Sequence, residues 1–289
     1  MRIGIAGTGK MGAAIAARLK DTGAEVVVWN RSRAKAEATG LPVVDTPREL
    51  AERSDAVVSI LFDATAVQAA YQGPDGLLAA AGGKLFIDMS TVRPHEQEAL
   101  AKDVRQAGGT FVECPVGGTT GPARAGQLLG LVGGDAADCE AARPVLEKLC
   151  RRIEHMGPVG AGAAAKLAIN LPLVVFWQSF GEALALVRHL GKDPAWLVQF
   201  FADTAGAANV LKARSGPVAA ILGGDETVAA TFDIDSMRKD LRSMLDEGQA
   251  RGIALPTAEQ ALVAMDEASA HGLGKQDCAY LPAYWFNKS

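Results

Sequence analysis

Lys166 and Asn170 stand four residues apart in Gly160-Ala-Gly-Ala-Ala-Ala-Lys-Leu-Ala-Ile-Asn170. A helix puts side chains at that spacing on one face. An ammonium group there can give a proton to a growing alkoxide, and its neutral amine can take one back; a neighbouring amide orients either partner. Ala163 to Ala165 are strong helix formers, and Gly160 and Gly162 give the segment a flexible entry. The apolar run continues to Leu190, with Leu173, Trp177 and Gly181 on roughly the same face. Asp193-Pro194 then reads as the N-cap and first position of another helix. About thirty residues is long for a globular helix, so this stretch is expected to be a spine between two domains.

What precedes the spine alternates strands and helices. Arg2 to Ala6 is a β-type run that leads into Gly7-Thr8-Gly9-Lys10-Met11-Gly12, and a helical pattern covers Met11 to Lys20. In a strand-to-helix turn of this G-x-G-x-x-G form, the first glycine permits the tight turn and the second admits a pyrophosphate. The third lets helix and strand pack closely, and the helix N-terminus faces the phosphates. Further strands are expected at Glu25–Trp29, Ala56–Phe62, Lys84–Met89, Thr110–Val116, Leu128–Val132 and Arg152–Met156, with helices over Pro94–Ala107 and Ala136–Cys150. The pattern implies a mostly parallel, doubly wound α/β sheet.

Ligands of such sheets bind at the carboxyl ends of the strands. After the second strand, sites for NAD carry an acidic residue for the ribose; here Asn30-Arg31-Ser32-Arg33 follows. A guanidinium and a hydroxyl suit a 2′-phosphate, which predicts NADP(H) as cofactor. Leu61 and Phe62 end the third strand and are assigned to the same cofactor site. Asp88-Met-Ser-Thr91 ends the fourth, where Ser90 and Thr91 can also cap the next helix. Glu113-Cys-Pro-Val-Gly117-Gly118-Thr119-Thr120 can turn backbone N–H groups toward one point, a concavity for a carboxylate.

After the spine only helices are expected, at Pro194–Phe201, from about Thr231 through Gln249, and at Pro256–His271; the tail from Tyr280 has no clear assignment. The domains are drawn at 1–159, binding cofactor, and 160–289, all-helical and rich in alanine and leucine. Such a helical face suits burial against a second copy, so a homodimer or higher homo-oligomer is expected. The net charge of −4 carries no long basic run, which argues against nucleic acid or an anionic membrane surface as partner. Gln178, Ser179 and Glu182 interrupt the apolar spine before membrane-spanning length. The four cysteines have no metal-type spacing and read as reduced structural thiols, and the N-terminus is no signal peptide. A cytoplasmic enzyme without a metal is expected.

Five stretches in order resemble the β-hydroxyacid dehydrogenases, the family of 3-hydroxyisobutyrate dehydrogenase, tartronate semialdehyde reductase and the glyoxylate/succinic semialdehyde reductases. They are the Gly7–Gly12 loop, Asp88-Met-Ser-Thr91, Glu113–Thr119, Gly160 through Lys166 to Asn170, and Lys239-Asp240-Leu241. The resemblance implies a Rossmann-type N-terminal domain and an all-α, 6-phosphogluconate dehydrogenase-like C-terminal domain joined by a long helix. It implies that Thr91 lies by the nicotinamide and Lys239 approaches the cofactor. Gly117, Gly118 and Thr119 would hold substrate, and Lys166 with Asn170 would perform general acid/base catalysis on a small aldehyde or keto acid. Three departures bear on the substrate: Gly117 replaces the family's serine, Ile169 stands where many members have a second asparagine, and Pro172 lies inside the helix. Ile169 and the NADP-type Asn30-Arg31-Ser32 bring the chain closest to the glyoxylate/succinic semialdehyde reductase branch. Two alternatives stay open: an imine reductase, although that group generally lacks the lysine, and a non-catalytic NADP-binding protein.

Overall fold

The computed structural model describes residues 1–288. The chain forms two compact units, Met1–Leu167 and Ala168–Ser289, so the division falls within the spine helix, a little beyond position 159/160.

The first unit is built on eight strands: β1 (Arg2–Ala6), β2 (Glu25–Trp29), β3 (Ala56–Ser59), β4 (Leu85–Asp88), β5 (Thr110–Glu113), β6 (Val116–Gly117), β7 (Leu128–Gly133) and β8 (Cys150–Gly157). Their order is β2-β1-β3-β4-β5-β7-β6, with β8 also paired to β7. β1 through β5 are parallel, whereas β7 runs antiparallel to β5 and β6. That reversal comes after β6, where the chain turns back through residues 118–127; β5 and β6 run the same way, and the break at Cys114 and Pro115 divides the single strand expected over Thr110–Val116 in two. The chain moves from β1 outward to β2 and returns to the other side of β1 with β3. The crevice between the ends of β1 and β3 is therefore the switch point where open sheets bind ligands.

Seven helices surround the sheet: α1 (Lys10–Asp21), α2 (Arg33–Glu37), α3 (Pro47–Glu52), α4 (Ala64–Tyr71), α5 (Pro94–Gln106), α6 (Thr120–Ala125) and α7 (Ala136–Leu149). Side chains of a strand alternate between faces. Val58, Ile87 and Val112 accordingly join Ile15 and Leu19 of α1 and Leu146 of α7 in one core. Their neighbours Val57, Phe86 and Phe111 join Leu50 of α3, Tyr71 of α4 and Leu100 of α5 in another. Strands covered on both faces read as continuous apolar runs, and Ala56-Val-Val-Ser59 is buried throughout.

α8 (Ala161–Val187) is one continuous helix through Pro172, whose missing N–H forfeits one backbone bond without ending it. By length and hydropathy it could cross a membrane. Val174, Trp177, Phe180 and Leu184, however, are buried inside the protein. The second unit continues with α9 (Pro194–Ala202), α10 (Asn209–Leu222), α11 (Ile234–Ala250), α12 (Pro256–Ala268) and α13 (Tyr280–Asn287). The tail is thus helical. Gly181 admits it, since a Cβ there would stand 3.0 Å from Pro282 and 3.1 Å from Trp285 of α13.

Candidate active site

The turn from β1 to α1 has the geometry that a phosphate cradle needs. Gly7 has φ +100°, and a Cβ there would meet the Ile60 carbonyl at 2.4 Å. At Gly12 a Cβ would lie 1.9 Å from the Gly7 carbonyl, so α1 packs directly on the turn. Gly9 is the N-cap of α1 and offers no side-chain cap, and a Cβ there would meet nothing within 4 Å. The first-turn N–H groups of α1 lie behind this open approach. The Thr8 N–H donates to Asn30 Oδ1 at 3.0 Å, and Asn30 Nδ2 donates to the Ser32 carbonyl at 3.0 Å. Asn30 thereby ties the end of β2 to the glycine turn. The Thr8 hydroxyl is buried with no hydrogen-bond partner. A buried hydroxyl left so beside an open glycine turn fits an incoming phosphate oxygen. Lys10 and Met11 open α1 behind it.

Arg31 and Ser32 are exposed beyond β2. Arg33 is committed elsewhere: its Nε donates to Glu37 at 2.8 Å, and it also pairs with Asp45. Among the described residues no ion pair engages Arg31.

At the ends of β3 and β4, polar groups converge on Asp88, which is fully buried. Ser59 Oγ and Ser90 Oγ donate to its Oδ1 at 2.6 and 2.9 Å, and Gln97 Nε2 donates to its Oδ2 at 2.6 Å. Burial raises the carboxyl's pKa, opposed by the hydrogen bonds from Ser59, Gln97 and Ser90. Ser90 Oγ in turn accepts the Leu61 N–H at 2.9 Å. Asp88 thus fixes both loops assigned to the cofactor, Leu61-Phe62 and Ser90-Thr91. It was visible in the sequence only as a member of Asp88-Met-Ser-Thr91; the Asp-x-Ser spacing at a strand end was the available signal.

Glu113 ends β5 directly opposite Asp88. Its Oε1 accepts the N–H groups of Gly160 and Gly162 at 2.7 and 2.8 Å, and its Oε2 accepts that of Ala163 at 3.3 Å. Space for the carboxylate exists because Gly133 lacks a Cβ, which would lie 2.0 Å from Oε1. Burial pushes the Glu113 carboxyl up to about 7; the three N–H donors oppose this and the Asp88 charge adds to it. Lys166, one turn further along α8, is buried with 8% exposure. In the loop beyond Glu113, Gly117 belongs to β6 and pairs with Leu129. Only Gly118 of the two has a positive φ, +123°, and Thr119 follows as the N-cap of α6 with no side-chain cap bond. These residues offer backbone and hydroxyl donors at an exposed edge.

The second unit carries its own cluster. Asn170 is buried, and its Nδ2 donates to Asp240 Oδ2 at 3.4 Å. Lys239 Nζ lies 2.6 Å from Asp240 Oδ1. Asp240, itself buried, joins Asn170 of α8 to Lys239 of α11. Its position in Lys239-Asp240-Leu241 was the sequence signal for it. Cys114, Cys139, Cys150 and Cys278 are free thiols.

A glycine cradle at a sheet switch point, in a unit that ends on a helix turn with a buried lysine and is followed by a helical unit, is the arrangement of a two-domain oxidoreductase that binds a nicotinamide dinucleotide. Residues 2–157 match the NAD binding domain of 6-phosphogluconate dehydrogenase, and residues 160–284 match the NAD-binding domain of NADP-dependent 3-hydroxyisobutyrate dehydrogenase. The chain belongs to the β-hydroxyacid dehydrogenase family. It is 31% identical to 2-(hydroxymethyl)glutarate dehydrogenase of Eubacterium barkeri, over 99% of this chain and 95% of that one. It is also 31% identical to glyoxylate/succinic semialdehyde reductase 1 of Arabidopsis thaliana, over 96% of each. Mycobacterium tuberculosis 3-hydroxyisobutyrate dehydrogenase, solved with L-serine, superposes with TM-score 0.83 at 27% identity, over 98% of each chain. An imine reductase from Myxococcus stipitatus solved with NADP+ shares the fold alone, with TM-score 0.63 at 22% identity over 99% of this chain and 100% of that one.

The three glycines separate by what surrounds them. Gly9→Ala is expected to leave the melting temperature unchanged and to weaken NADPH binding by about tenfold or more, equivalent to ~1.4 kcal/mol. Gly12→Ala is expected to destabilise the fold by about 1–3 kcal/mol through overpacking. Thermal melts and fluorescence titration with NADPH check both; a Gly9→Ala protein that binds NADPH normally would rule out the cradle.

Proposed function

We propose that the protein is an NADPH-dependent reductase of small aldehyde or keto acids, of the semialdehyde or glyoxylate type, working reversibly on the corresponding hydroxy acids. The observation that carries this is the burial of Lys166. A lysine on an alanine-rich helix ordinarily keeps its ammonium in solvent, and burying one costs free energy that its partners must offset, so a buried lysine at this place in the motif favours a chemical role.

The cradle of Gly7, Thr8, Gly9, Lys10, Met11 and Gly12 would hold the pyrophosphate, Leu61, Phe62 and Thr91 would flank the nicotinamide, and Lys239 would approach the cofactor. Asn30, Arg31 and Ser32 would meet the 2′-phosphate; Arg31, unlike Arg33, has no carboxylate among the described residues to compete for it. When bound, the reduced nicotinamide supplies the hydride. Gly117, Gly118 and Thr119 would bind the substrate carboxylate through N–H and hydroxyl donors. Lys166 would polarise the carbonyl and give its proton to the oxygen as the carbon is reduced; in the reverse direction its neutral amine would take that proton. Asn170, held by Asp240, would orient the lysine or the substrate oxygen. Without the family's serine at Gly117 one contact to the acid group is missing, which favours tolerance of longer or bulkier chains. The curated relatives that act on glyoxylate, succinic semialdehyde and a hydroxymethyl diacid support a carboxylate-bearing substrate.

Catalytic efficiency with NADPH is expected to exceed that with NADH by about ten- to a hundredfold, the worth of charge-assisted contacts to the 2′-phosphate. Arg31→Asp should erase the difference; a variant that keeps the preference would assign it elsewhere.

Lys166→Ala should lower turnover on succinic semialdehyde or glyoxylate by about 10²–10⁴, with little change in NADPH affinity. Steady-state rates beside cofactor titration measure this, and near-normal turnover would remove the lysine from the mechanism.

A further inference from the structure

We propose that Glu113 is the positioning residue of the reaction: its carboxylate fixes the first turn of α8 and thereby the direction from which Lys166 delivers its proton. The proposal rests on the acid/base role of Lys166 given above.

Three observations converge on Glu113. Its two oxygens collect three N–H groups from Gly160, Gly162 and Ala163, the donors that a helix start leaves without intrahelical partners. Its place is specifically made, because Gly133 and Gly162 lack the Cβ atoms that would stand 2.0 and 3.2 Å from Oε1. And it ties α8 to the sheet edge itself, since Glu113 is the last residue of β5 and pairs in register with Asp88 of β4. Asp88 holds the Leu61 and Ser90 loops. Two adjacent strand ends thus hold, by one carboxyl each, the cofactor loops and the start of the lysine's helix.

The anchor depends on ionisation. A carboxylate accepts charge-assisted N–H bonds on both oxygens and complements the positive helix N-terminus; the protonated acid has one O–H and accepts weakly. The groups around it are mostly of its own sign. Asp88 faces it from β4, Glu98 of α5 lies over Gly160, the Cys114 thiol is its chain neighbour, and Gly133 on β7 brings no charge. The nearest cationic side chain along α8 is Lys166 itself. Burial and Asp88 raise the carboxyl to about 7, inside the working range of an enzyme. Above that pH the turn is held; below it the hold weakens.

The test compares Glu113→Gln, Glu113→Asp and Lys166→Ala, each saturated with NADPH, for the reduction of succinic semialdehyde between pH 5.5 and 9. These pH limits are roughly one and a half to two units on either side of the group's titration. In the unsubstituted protein kcat should fall as pH drops through about 7. Glu113→Gln should lower kcat at pH 8 by about ten- to a hundredfold, the scale of a misplaced catalytic group, and should abolish that fall. Its affinity for NADPH should stay within about twofold of normal, or ~0.4 kcal/mol. Glu113→Asp keeps a charge on a shorter arm, so it should recover part of the rate and retain a low-pH fall. Normal kcat in Glu113→Gln beside an inactive Lys166→Ala would overturn the anchoring role and leave the lysine's role standing. A Glu113→Gln protein that is slower yet keeps the same low-pH fall would overturn it too, marking Glu113 as merely structural. If Glu113→Gln does not fold, Glu113→Asp decides: a reduced kcat with a displaced fall supports the proposal, and an unchanged profile refutes it. A fully active Lys166→Ala refutes the underlying reaction scheme instead, and the anchoring role with it.

Discussion

Two buried carboxyl groups, Asp88 and Glu113, sit side by side at the carboxyl edge of the sheet. Burying even one such group costs several kcal/mol unless hydrogen bonds replace the lost water. The structure answers this twice, with different donors. Asp88 is satisfied by side chains, Ser59, Ser90 and Gln97, and so gathers the loops after β3 and β4. Glu113 is satisfied by backbone, the first turn of α8, and so gathers the helix that carries Lys166. The solvation demand of two acids thus becomes the positional accuracy of an edge where ligands of parallel sheets bind.

Much of this was legible in the sequence because the relevant constraints are local. Gly7, Gly9 and Gly12 each meet a different steric requirement within a six-residue turn, and β1 and α1 flank them as the pattern demanded. The β-branched runs of β1 to β5 and the alanine-rich opening of α8 likewise carry their own conformation. What was not legible depends on distant partners. The break at Cys114 and Pro115 that ends β5, and the turn after β6 that reverses β7, look locally like the end of an ordinary strand. The tail, as α13, packs closely on Gly181, about a hundred residues earlier, whose missing Cβ leaves room for Pro282 and Trp285.

The same distinction holds within the candidate site. Lys166, Asn170 and Lys239 stand out as polar residues in apolar or motif settings, and all three are wholly or largely buried. Asp240, Asp88 and Glu113 lie within motifs, but an acid in a motif does not reveal which groups it will hold. Arg33 shows the converse. It is as basic as Arg31, but Glu37 one helical turn on and Asp45 across the loop engage it, a difference that the sequence run Asn30-Arg31-Ser32-Arg33 does not reveal.

Hydride transfer to a carboxylate-bearing aldehyde is the chemistry to which cradle, anchored helix and buried lysine are all directed in the proposed function. The direct measurement uses NADPH deuterated at the transferable C4 position, with succinic semialdehyde as substrate and mass spectrometry of the product. One deuterium on the carbinol carbon for each NADPH consumed, at an efficiency well above that for an uncharged aldehyde of similar length, is the expected result. Unlabelled product, or a protein that ignores aldehyde acids and reduces uncharged imines or aldehydes as readily, would contradict it.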